Sequence, residues 1–159
     1  MSAPLRVAGG PQGSVPGQEL AEAQRCLTFA LRKAAREVTR AYDAALRPTG
    51  LRSTQFNLLV ALNFLGPITT TKLAEYLAAE RTTLTRNLSL LAGRGLVKVS
   101  GGGGDRRSRP VAITPAGRAA ALRALPAWRR AQAAMGDKLG ARELEGFVDR
   151  LGALVRRRA

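Results

Sequence analysis

Histidine is absent from the 159 residues, and cysteine occurs once, as Cys26. Those two absences exclude a His/Cys metal cage and any Ser-His-Asp or Cys-His arrangement within one chain. A lone thiol also rules out an intrachain disulfide scaffold. Acidic residues are scarce, 11 against 26 Lys and Arg. They are scattered beside basic neighbours, so nothing points to paired carboxylates doing acid–base work. Nowhere do about 18 apolar residues run together, which argues against a transmembrane helix. The opening MSAPLRVAGGPQGSVPG lacks the apolar stretch of a secretory signal. Aromatics make up only 4%, too few for the stacking platform that RNA recognition uses. The run Gly101–Gly104 is not followed by Gly-Lys-Ser/Thr, so it is no phosphate-binding loop. Together these absences predict a cytoplasmic protein that is not an enzyme, needs no cofactor or metal, and has no membrane partner.

What is present is positive charge. The formal net is +15 and the pI about 11.7, an excess that favours polyanionic partners through counterion release. Liberal use of Arg across solvated surfaces would give the same total, so the position of the charge decides between the two readings. The length fits one domain with flanking helices, and 45% hydrophobic residues supply its core.

Residues 1–19 hold three Pro and four Gly without periodicity and read as a flexible arm. From Leu20 an amphipathic helix is predicted, with Leu27, Leu31, Ala35, Val38, Tyr42 and Ala45 on one side. It stops at Arg47-Pro48-Thr49-Gly50. A second helix follows Ser53, expected as its N-cap, and buries Phe56, Leu59, Val60 and Leu62. Gly66-Pro67 ends it. A short helix capped by Thr69 carries Leu73, Ala74 and Leu77. After Ala78-Ala79-Glu80 a fourth helix sets Leu84, Leu88 and Leu91 against a polar face of Thr82, Thr85, Arg86 and Ser89. Such a pair, with a cationic outer face on its second member, matches a helix-turn-helix. Leu96–Val99 and Val111–Ile113 then read as two strands around a Gly/Arg loop, a hairpin placed as a wing. Pro110 predicts that the returning strand is an edge or is bulged. Thr114-Pro115 starts a long helix with an expected bend at Pro126. After Gly140 comes a last helix striped with Leu144, Phe147, Val148, Leu151, Leu154 and Val155.

The charge falls on the reading elements. Between Arg81 and Arg118 stand Arg81, Arg86, Arg94, Lys98, Arg106, Arg107, Arg109 and Arg118, against Asp105 alone. A merely Arg-rich surface would not cluster so, and double-stranded DNA is the predicted partner. Arg81, Thr82, Thr85, Arg86 and Asn87 are the candidates for base edges or flanking phosphates in the major groove. Thr70, Thr71 and Lys72 are expected to meet the phosphate backbone, and Arg106 and Arg109 to hold phosphates beside the wing. Asp105 would shape the wing rather than touch DNA. A non-specific architectural DNA binder is the alternative reading, against which the Thr/Asn/Arg face of the fourth helix argues.

The order of elements resembles the MarR family. GLRSTQFNLLVAL (50–62) resembles the family's second helix, RTTLTRNLSLLAGRGLV (81–97) its recognition helix, and DRRSRPVAITPAGR (105–118) its wing signature. The resemblance implies a mainly α protein of about six helices with a small β-hairpin wing, an α+β winged helix-turn-helix. It implies a dimerisation helix at 20–48, a DNA-binding core at 50–114 and C-terminal dimerisation helices at 115–159. By the same resemblance the protein is a homodimeric repressor on a pseudo-palindromic operator, and Arg107 enters the minor groove. A small aromatic or lipophilic effector would lie near Phe29, Arg32, Phe56 and Trp128. Lys72 departs from the family, which often has an acidic residue there. CLTFALRKAAREVTRAY (26–42) resembles the organic-peroxide-sensing branch, making Cys26 a redox candidate. With Thr39 and Tyr42 in register, however, the reactive position falls on Thr28. Two residues turn a side chain by roughly 200°, and a buried, inert Cys26 is the competing expectation.

Overall fold

The computed structural model describes residues 26–100 and 110–155, with the side chains of 141 and 142 set aside. The chain divides into two compact units, Met1–Arg36 and Glu37–Ala159. The described part of the first is Cys26 and the opening turns of helix α1 (Leu27–Leu46). Leu27, Phe29 and the polar residues beside them are exposed there, and Leu31 is half-buried.

In the second unit α1 ends on the fully buried Leu46. A 3-10 turn, Arg47–Thr49, breaks the helix where Pro48 removes a donor. Gly50 closes it with φ 72°, and its N–H donates to Arg47 O at 3.0 Å. Helix α2 (Ser53–Leu65) is apolar nearly all round and so lies in the core. Leu58 and Ala61 are buried as well as Phe56, Leu59 and Leu62, whereas Val60 is only half-buried. Ser53 is not the N-cap. That position is Arg52, whose N–H donates to Gln55 Oε1 at 3.1 Å. Ser53 is the first helical residue, and Asp43 Oδ1 accepts from both its N–H and its Oγ at 2.7 Å. A carboxylate ten residues upstream thus serves the helix start, where its charge is favourable.

A two-residue strand β1 (Ile68–Thr69) follows, then helices α3 (Thr70–Tyr76) and α4 (Arg81–Gly93), strands β2 (Val97–Val99) and β3 (Pro110–Ile113), and helices α5 (Pro115–Leu139) and α6 (Ala141–Val155). Six helices and a small antiparallel sheet make a winged helix-turn-helix. The sheet has three strands in the order β1-β3-β2, with Ile68 opposite Val111 and Lys98 opposite Ala112. The strand bearing Pro110 is therefore central, not an edge. Proline is tolerated there because it is the strand's first residue, opposite Thr69. Helix α5 runs without interruption through Pro126. The core joins Leu46, Leu59, Leu62, Leu73, Leu91 and Val111, all fully buried. Truncating such a leucine to alanine costs about 2–5 kcal/mol. Phe56 and Trp128 extend this core as stacked rings, centroids 6.3 Å apart. Tyr42 O–H donates to Gln132 Oε1, tying α1 to α5, and burial raises the tyrosine's pKa.

Candidate nucleic-acid interface

Helix α3 begins where Thr69 Oγ1 accepts from the Lys72 N–H at 3.3 Å, as its sequence predicts. Lys72 is exposed at the first turn, and Thr70 and Thr71 are half-buried. The chain then turns through Ala78, whose φ of +47° is the left-handed region that alanine enters at a cost of roughly 1–2 kcal/mol.

Glu80 fixes the start of α4. Its carboxylate accepts from Thr82 N at 3.0 Å and from Thr83 N at 2.9 Å, and from the Thr83 hydroxyl at 3.1 Å. The Thr82 and Thr83 amides hold its pKa down to about 2. Glutamate is an uncommon N-cap, so nothing local distinguishes Glu80 from the rest of the connection Ala78-Ala79-Glu80. Leu84, Leu88 and Leu91 fasten α4 to the core. Arg81, Thr82, Thr85, Arg86 and Ser89 consequently face solvent along the other side. Asn87 departs from expectation: it is half-buried, and its Nδ2 donates to Thr83 O at 3.0 Å. Arg81 also lines a groove of about 470 Å³ with Thr71 and Glu75, so two candidate residues from α3 and α4 share one surface.

The wing's stem is built around α5. Ser100 N donates to Pro110 O at 2.9 Å at the stem's open end. Asp105, Arg106, Arg107 and Arg109 lie in the segment 101–109, outside the described residues. At the other end Thr114 caps α5, accepting from Gly117 N at 3.0 Å. Its N–H donates to Leu96 O at 3.1 Å, and its hydroxyl to Gly95 O at 2.7 Å. Gly117 allows this closeness, since a Cβ there would lie 2.0 Å from Leu96 O. Arg94, just past α4, donates from Nη1 to Gly50 O at 2.8 Å and anchors the helix's far end. Nothing in the residue pattern signals that bond.

Of the effector candidates, Phe56 is buried and Trp128 half-buried in their stack; Phe29 and Arg32, in the first unit, are exposed. Cys26 is exposed, which corrects the expectation of a buried thiol. It precedes α1, and the backbone amides of Phe29 and Thr28 lower its pKa.

Residues 51–108 match the MarR family model. The chain is 32% identical over 90 residues to an uncharacterised HTH-type transcriptional regulator, YwoH, of Bacillus subtilis. That alignment takes in 57% of this chain and 65% of the relative, so the chain spans just under two thirds of it. The M. tuberculosis transcriptional regulator MosR superposes with a TM-score of 0.71 at 37% identity, over 82% of this chain and 95% of MosR. A second MosR structure, in complex with DNA, gives a TM-score of 0.65 at the same identity, over 84% and 100%. The repressor CouR bound to a 23-mer DNA duplex is 26% identical with a TM-score of 0.73, over 89% and 100%. With its helix-turn-helix, its hairpin stem and these relatives agreeing, the chain belongs to the MarR family of winged-helix transcriptional regulators.

Proposed function

We propose that this protein is a sequence-specific, homodimeric repressor that binds double-stranded DNA and is released by a small effector or an oxidant. The observation that carries the reading is α4, whose leucines are buried while Arg81, Thr82, Thr85 and Arg86 stand together in solvent. Arg81 and Arg86 supply the planar donors that discriminate guanine, and the threonines reach bases or phosphates. Asn87, committed to Thr83 O, contributes by stiffening the helix unless DNA draws its amide away. Lys72 and the hydroxyls of Thr70 and Thr71 hold the phosphate backbone. Arg107 enters a narrow minor groove, Arg106 and Arg109 flank it, and Asp105 sets the wing's shape. The similar regulators MosR, in complex with DNA, and CouR, bound to a DNA duplex, support DNA as the partner.

The exposed apolar residues Phe147, Val148, Leu154 and Val155 of α6 support a homodimer, whose two-fold symmetry calls for a pseudo-palindromic operator. Trp128, half-buried beside the buried Phe56, is the candidate in the second unit for an aromatic or lipophilic effector, and Phe29 and Arg32 are the candidates in the first. Cys26, exposed and with its thiolate favoured, is the candidate for an oxidant; Cys26→Ser would then retain DNA under hydroperoxide while the wild type releases it.

Fluorescence anisotropy on duplexes tiled across the protein's own upstream region tests the main reading. One tile is expected to bind about 10³-fold tighter than a scrambled duplex at physiological salt. Equal binding to every tile, collapsing with salt, would favour the architectural alternative.

A further inference from the structure

A second basic site lies at the opposite end of α4 from the residues that face DNA. The C-terminal turn of α1, the Arg47–Thr49 turn and the start of α2 enclose a groove of about 540 Å³. Arg40, Arg47 and Arg52 converge on it, and Asp43 is its only acidic wall. Asp43 already serves Ser53, whose N–H and hydroxyl both donate to its Oδ1. Arg40 is held by Glu37 at 2.8 Å, but both side chains are largely exposed, and such surface pairs are weak and readily exchanged. Neither Arg47 nor Arg52 forms an ion pair among the described residues. Arg47 and Arg52, with no ion pair among the described residues, and Arg40, in its exposed pair with Glu37, line one concavity whose single carboxylate is turned to a helix start, so the lining is net positive.

The groove is also wired to the recognition helix. Its wall residue Gly50 accepts Arg94 Nη1 at 2.8 Å, and Arg94 Nη2 lies 3.5 Å from where a Gly50 Cβ would stand. Arg94 is the residue on which α4 ends. A 13-residue helix spans about 20 Å, so this anchor sits well away from Arg81 and Thr82. The first residues of a recognition helix are those that reach base edges, so the groove lies at the end of α4 away from them.

We propose that this groove binds a small phosphate-bearing metabolite, and that its occupancy is transmitted to α4 through the Gly50–Arg94 bond. Guanidiniums match phosphate oxygens bidentately, and Gly50, which lines the groove, is the residue that holds Arg94. The site thereby couples a ligand to the pose of α4 by a route separate from the Phe56–Trp128 stack. The regulatory part of this inference rests on the DNA-binding reading; the binding part does not.

Inorganic pyrophosphate is the probe, with sodium chloride matching ionic strength. At millimolar concentration it is expected to raise the wild-type melting temperature by about 2 °C or more. The double variant Arg47→Gln/Arg52→Gln, folded by circular dichroism, should show no rise. Pyrophosphate should also change operator affinity by about fivefold or more in the wild type, and by less than twofold in Arg94→Gln. Arg94→Lys, which retains a cation at the anchor, controls for simple loss of folding. Absence of any pyrophosphate shift in melting overturns the site, whatever the DNA result. Loss of operator affinity in Arg47→Gln/Arg52→Gln without pyrophosphate would make the groove a DNA contact, and also overturns it. A pyrophosphate shift in a protein that binds no DNA tile would sink the regulatory reading alone.

Discussion

Gly117 stands in the first turn of a helix, where alanine would ordinarily be preferred by up to about 1 kcal/mol. Here the preference is reversed by space. A Cβ would fall 2.0 Å from Leu96 O and 2.8 Å from Ile113 Cγ1, and a backbone oxygen cannot rotate aside. Overpacking of this kind costs typically 1–3 kcal/mol and occasionally more, which exceeds the gain in propensity. Gly117→Ala is therefore expected to lower stability by about 2 kcal/mol in urea denaturation, and to weaken operator binding by moving the wing's base. Unchanged or increased stability would refute the close approach of α5 to the Leu96 carbonyl. The motif Thr-Pro-Ala-Gly was legible as a helix start from Thr114 and Pro115. The reason for its glycine was not, because it depends on a carbonyl 21 positions away in sequence.

The same contrast between local and distant causes governs whole elements. Helix α4 could be read from its leucines at steps of four and three, and α3 from Thr69, because both signals lie within one turn of what they specify. Strand β1 could not be read, since two residues carry no period and Ile68–Thr69 becomes a strand only by pairing with β3. Ser53 looked like an N-cap, and Asp43 displaced it from across a turn. Ala78 gives no hint of its positive φ. Glu80 shows what such a hidden cap does for an element. Its folded pKa, about 2, lies below the ordinary 4.5, so the ionised cap stabilises α4 fully above about pH 4.5. That contribution is lost as pH falls from 4.5 toward 2. Glu80→Gln should accordingly melt a few degrees below the wild type at pH 7, and the gap should close progressively through that acidic window in a circular-dichroism series. A gap independent of pH would mean that the carboxylate's charge does not hold the helix start.

At the scale of the molecule, charge and apolar surface are carried by different elements, as the proposed two-subunit reader of DNA requires, and Val155 of α6 lines the groove beside Arg81. The cationic residues of α4 face solvent, and α6 presents Phe147, Val148, Leu154 and Val155, with Leu154 61% exposed. Leu144 and Leu151 are half-buried on the same helix, so α6 is amphipathic with its apolar stripe only partly covered. Burying one such side chain is worth about 1.5–3 kcal/mol. These four are 44–62% exposed, so covering what remains of each is worth roughly half of that, and a second copy's stripe would supply the cover. Val148→Asp with Leu154→Asp puts carboxylates at the centre of that stripe. The double variant should sediment as a monomer at micromolar concentration while keeping its helical circular dichroism. Its operator affinity should fall by roughly 10²-fold or more, because one subunit no longer brings the second half-site's reader to high effective concentration. Its binding to a single half-site should be nearly unchanged. A variant that still sediments as a dimer would assign assembly to other surfaces, whereas a monomer with full operator affinity would mean that one winged helix suffices for recognition.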